Sequence, residues 1–196
     1  MSVDVFRKVD RKLGQGKFDA EYASHFQEAL ERQLEVNATK QYTNFVADVR
    51  PLVQSLPLLL LHKGRVVEML LAAVAAADYS ALAPLLALLG ALARDLLEEF
   101  RPYFEQVVAR VTLLLDPNDP QINEQVFTCI GYQFKFLRKL LVKEVQELYE
   151  RFYHTLLSNS RAYIRRFAAE SFSFLLRNCP SSDLSATVGA VFGLLR

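Results

Sequence analysis

Hydrophobic positions recur at steps of three and four along almost the whole chain, the spacing that gathers side chains on one face of an α-helix. Strand-like alternation is nearly absent, and no Asn-Gly or Asp-Gly hairpin turn occurs. Tyr22, Phe26, Leu30 and Leu34 repeat every four residues and predict a first helix from an N-cap at Asp19 to about Val36. A second stripe, Tyr42, Phe45, Val46, Val49, Leu52, Val53 and Leu56, predicts a helix from about Thr39 to Leu56. Pro51 lies within it and predicts a kink, because proline lacks an amide hydrogen and crowds the preceding turn.

Pro57 opens a third helix with a possible break at Gly64. A fourth covers about Ala81 to Phe100, and Pro102 begins a fifth that ends at "LLLDPNDP". Asp119 caps and Pro120 starts a sixth, reaching about Leu141. A seventh runs from about Lys143 to Leu157, an eighth covers "YIRRFAAESFSFLLR", and a ninth starts near Ser182. The expected fold is all-α. A shift of about 42 residues aligns Val107 with Tyr149, Leu114 with Leu156, Ile122 with Ile164 and Val126 with Ala168. That period of helix, turn and helix predicts an α-solenoid of HEAT/armadillo-like antiparallel helix pairs, one repeat domain over residues 1–196 whose clearest units are 102–141 and 143–179. The last stretch, "ATVGAVFGLLR", is apolar and lacks a polar cap, which predicts the N-terminal fragment of a much longer solenoid.

Composition narrows the classes. Hydrophobic residues make up 52% of the 196, too many for a disordered tail, and a net charge of +1 leaves nucleic-acid attraction to local clusters. Cys129 and Cys179 sit among apolar residues and suit reduced thiols better than a disulfide framework. The longest uncharged apolar run, Ala81 to Ala93, is shorter than the ~20 residues a membrane span needs, so it reads as a buried helix.

Candidate chemistry is sparse. His25, His62 and His154 fall on three different predicted helices without a cysteine or carboxylate at ligand spacing. Gly14 and Gly16 in "KLGQGK" follow no strand and lack the rest of a phosphate-loop pattern. Ser171 has no glycine elbow. Neither an enzyme nor a cofactor, metal or small-molecule site is expected.

The charges carry more. On the eighth helix, Ile164, Ala168, Ser171, Phe172 and Leu175 share one face, with Arg166, Glu170, Ser173 and Arg177 opposite, a solvated side. Arg161 and Arg165, beside the turn, are candidates for a phosphate contact at the helix start. Lys135, Arg138, Lys139 and Lys143 form a basic patch on one side of the sixth helix, if it continues that far, opposite Val126, Ile130, Leu137 and Leu141. Such a patch suits phosphates or an acidic protein, and the sequence shows no aromatic surface interleaved with it.

Three stretches resemble a known family: "LARDLLEEFRPYF", "DPQINEQVFTCIGYQFKFLRKLLVKEV" and "YIRRFAAESFSFLLRNC". They are similar to the N-terminal region of the U3 small nucleolar RNA-associated protein 20, or down-regulated-in-metastasis, family. "NFVADVRPLVQSLPLLLLHKGRVVEMLLAAV" resembles it more loosely. The resemblance implies a non-enzymatic scaffold in the nucleus and nucleolus. Its implied work is in the small-subunit processome (the 90S pre-ribosome), in 18S ribosomal RNA processing. Implied partners are processome proteins, pre-ribosomal RNA, the U3 ribonucleoprotein particle and the rest of its own solenoid, with no membrane. A HEAT or armadillo adaptor that binds peptides without RNA is the rival reading. A helical enzyme or lipid carrier, with Leu58 to Leu97 lining a cavity, is a third.

Overall fold

The computed structural model describes residues 24–36, 39–180, 184–185 and 188–189. Asp19, Tyr22, the glycines of "KLGQGK", the His154 side chain and most of the expected ninth helix lie outside the described residues. The described residues are helical and contain no strand. They fall into two compact units divided between Leu96 and Leu97.

The first unit holds four helices: α1 (His25–Val36), α2 (Lys40–Val49), α3 (Leu56–Ala76) and α4 (Tyr79–Leu96). Their starts follow local chemistry. Ser24 Oγ accepts the Gln27 amide at 3.1 Å, and Thr39 and Ser55 accept from the amides of Tyr42 and Leu58. Asp78 accepts from the Ala81 amide at 3.0 Å. Pro51 ends α2 where a kink was expected, and residues 50–52 tighten into a 3₁₀ turn. Missing its amide hydrogen, that proline cannot bond the turn before it, and the helix restarts only after the Ser55 cap. Gly64 leaves α3 unbroken through all 21 residues, because apolar packing on both sides of it outweighs its cost of about 1 kcal/mol.

α4 is the core of this unit and packs against α1, α2 and α3. Ala81, Leu82, Leu85, Leu86, Leu88, Leu89, Leu92 and Ala93 are all buried on it, more than one amphipathic stripe requires. The segment Tyr79–Thr112 is long and apolar enough to cross a membrane by length and composition, and most of its apolar window is buried inside the protein. Tyr42, fully buried, donates its hydroxyl to the Leu30 carbonyl at 3.1 Å and so ties α2 to α1.

The second unit begins at Leu97, whose φ of 46° breaks the helical path. A 3₁₀ turn (Leu97–Phe100) leads to α5 (Arg101–Thr112), α6 (Pro120–Leu141), a 3₁₀ turn (Val142–Glu144) and α7 (Val145–Phe152). A π-helical turn (Tyr153–Leu157) then precedes α8 (Ala162–Arg177). Pro102 and Pro120 sit in first turns, and Asp119 accepts from the Ile122 amide at 2.9 Å. α5 packs on α6, α6 on α8, and α7 on α8. Edge-to-face rings knit these helices together. Phe104 meets Phe134 at 5.6 Å and Phe152 at 6.1 Å, and Phe172 meets Phe134 at 6.1 Å and Tyr149 at 5.5 Å.

Candidate nucleic-acid interface

α6 is amphipathic, and its two sides do different work. Val126, Cys129, Ile130, Gln133, Phe134, Leu137 and Leu141 are buried. Lys135, Arg138, Lys139 and Lys143 are all exposed, as the sequence pattern implies. At 100° per residue Lys135, Lys139 and Lys143 lie near the middle of the exposed side and Arg138 at its edge. From Gln125 to Lys143 the chain has four cations and no carboxylate.

Nearby acids do not cancel this charge. Among the described residues none of the four cations has a carboxylate within ion-pair distance. Glu144, next to Lys143, is held by Arg101, whose Nε donates to it at 2.9 Å. Arg101 also meets Glu105 at 3.2 Å, and Arg151 bridges Glu105 and Glu147. Glu105, Glu144 and Glu147 are therefore occupied by Arg101 and Arg151, and the four cations face solvent without an acidic partner among the described residues.

The structure adds what the sequence reading leaves out. Tyr132 is 46% exposed, and its ring stacks on Phe136 with centroids 5.9 Å apart and planes 11° off parallel. Lys135 Nζ lies 5.8 Å from the centre of the Phe136 ring. Aromatic surface thus stands beside the lysines, contrary to the expectation of none. The signal was in the spacing: Tyr132, Phe136, Lys139 and Lys143 step by four, three and four along one line of the helix.

The other two candidates are held differently. Arg165 donates to the carbonyls of Asn159 and Ser160 at 2.6 and 2.7 Å. Arg161 donates to the Leu115 carbonyl at 3.2 Å and to the Tyr163 hydroxyl at 3.4 Å. These guanidinium groups fasten the turn before α8. Arg166 pairs with Glu170 at 3.2 Å on a solvated face, with little effect on stability.

Other chemistry is modest. Among the described residues no three His, Cys, Asp or Glu side chains gather where they could hold a metal ion. His25 approaches Glu28 at 3.5 Å. Cys129 is buried, and desolvation pushes its thiol up to about 12, far from the reactive thiolate form. An apolar groove of about 570 Å³ lies between Pro117, Pro120, Phe127 and Tyr163, with Phe127 stacked on Phe167 at 4.2 Å.

No known family profile matches the chain. Two relatives do. The chain is 34% identical over 98% of its length to U3 small nucleolar RNA-associated protein 20 of Saccharomyces cerevisiae. It is 30% identical over 90% of its length to the protein of that name from Schizosaccharomyces pombe. The chain matches a region of U3 small nucleolar RNA-associated protein 20. The match reaches beyond the stretches that carry the resemblance. It spans 8% and 7% of the length of these two relatives.

Proposed function

We propose that the chain works in ribosome biogenesis as a non-enzymatic helical scaffold of the small-subunit processome, in the nucleolus. On this reading it docks processome proteins and the phosphate backbone of pre-ribosomal RNA or the U3 particle. The helix pairs α5–α6 and α7–α8 are then successive HEAT-like repeats of a solenoid, matching units 102–141 and 143–179. The observation that carries the proposal is the similarity along nearly the whole chain to U3 small nucleolar RNA-associated protein 20 in two yeasts. The part of the exposed α6 face beyond Glu124, which has cations and no carboxylate, supports an RNA contact within it, since such cations release counterions from phosphates.

The test has two arms. Tagged chain added to nucleolar extract should recover U3 RNA above an unrelated helical control; equal recovery counts against the scaffold reading. Purified chain titrated with structured pre-ribosomal RNA should lose affinity as salt rises. If all four cations are engaged, the slope of log K against log salt should be about −3 to −4. Reversing Lys135, Arg138, Lys139 and Lys143 to glutamate should abolish that dependence.

A further inference from the structure

We infer that Tyr132 and Phe136 form a base-stacking platform, so that the α6 face prefers a single strand with unpaired bases to a bare phosphate backbone. The inference rests on the proposed RNA contact and names the form of RNA it takes.

Tyr132 leaves nearly half of its surface open to a partner. Its ring lies almost parallel to Phe136, which fixes its orientation in advance. Lys135 sits against that pair, and Lys139 and Lys143 continue its line by one and two turns. A partner must therefore offer flat apolar faces and negative charge side by side, at a spacing of a few ångströms. Single-stranded RNA offers both, because each nucleotide pairs a stackable base with a phosphate. A duplex hides its bases within the stack and presents phosphates alone. An acidic peptide supplies the charge without the flat face. Platform, Lys135 and Lys139 share one helix, with Lys143 in the turn that follows it, so little further ordering is needed on binding.

The experiment uses the full chain and three probes with equal phosphate or carboxylate counts. They are a labelled oligouridine of about twelve nucleotides, an abasic strand of the same length, and a polyglutamate peptide. Binding is read by fluorescence anisotropy at low salt. The oligouridine should bind about fivefold or more tighter than the abasic strand. Tyr132→Ala should lose about fivefold or more on the oligouridine and nothing on the abasic strand, and Tyr132→Phe should restore binding. Circular dichroism of Tyr132→Ala checks its fold, and Tyr132→Leu, apolar but not flat, serves as the second variant and should bind as weakly as alanine. Equal affinity for the two strands, or indifference to Tyr132→Ala with salt dependence intact, overturns the platform and leaves the backbone contact standing. Tighter binding of polyglutamate assigns the face to an acidic protein and overturns the inference. Absence of binding to every probe removes the RNA contact and the platform together.

Discussion

Asp95 holds the start of the first unit's opening helix from 70 residues away. Its carboxylate accepts the Ser24 hydroxyl at 2.8 Å and the amides of His25 and Phe26 at 3.0 and 2.7 Å. Those amides are among the unpaired donors at the beginning of α1, where negative charge is also favoured by the helix dipole. Asp95→Ala should destabilise by about 2 kcal/mol, measured by urea unfolding, and Asp95→Asn, which keeps an acceptor, by less. Nothing in "RDLLEEF" marks this residue, because its partners are distant and its neighbours are ordinary surface acids. The cap Asp119 was readable because it acts within three residues of itself, whereas the Ser55 cap was hidden inside a helix expected to run to Leu56. Two buried acids shape the alkaline side of stability. Burial raises the Cys129 thiol from 9.0 to about 12, and raises the Tyr42 hydroxyl above its usual 10.0. Above pH 9 the unfolded chain therefore releases protons that the folded chain retains, so stability falls as pH rises. The fall should begin near pH 9, steepen beyond 10, and approach about 1.4 kcal/mol per pH unit for each group. Thermal unfolding across pH 8 to 11 should show a shallower decline in a Cys129→Ala, Tyr42→Phe double variant.

At the scale of elements, hydrophobic periodicity decided most of the helices, and breakers decided fewer of their ends than expected. Pro51 acted as a stop because it fell beside the cap at Ser55, whereas Gly64 had buried leucines and valines on either side of it. The seventh helix stopped at Phe152, where residues 153–157 take a π turn. Its apolar pattern runs on to Leu157 and gave no warning of a single π turn. The ring cluster of the second unit was equally hidden. Phe104, Phe134, Phe152 and Phe172 come from four helices and look in sequence like four independent core positions. Phe104 touches two of these rings and is fully buried. Phe104→Ala should cost about 3–5 kcal/mol, read from urea unfolding, with Phe104→Leu costing appreciably less. The basic patch was legible as charge. Its aromatic half was missed because Tyr132 and Phe136 were not placed on either face, and only their position relative to the buried stripe reveals the exposed ring.

For the whole molecule, the all-helical class and the resemblance were within reach of the sequence, the first from periodicity and the second from specific runs such as "FTCIGYQFKFLRKLLVK". The division at Leu97 was not, because a single residue of left-handed backbone leaves no mark on a hydrophobic pattern. From Tyr132 on α6 to Lys143 in the turn that follows, the exposed line is about 16 Å long at 1.5 Å per residue. At about 3.4 Å per stacked nucleotide that is room for roughly five nucleotides. On the proposed RNA contact, so short a grip holds loosely at cellular ionic strength and lets go readily. Contacts of that kind hold a strand only in numbers, each turning over quickly while tethered neighbours keep it in place through their high effective concentration.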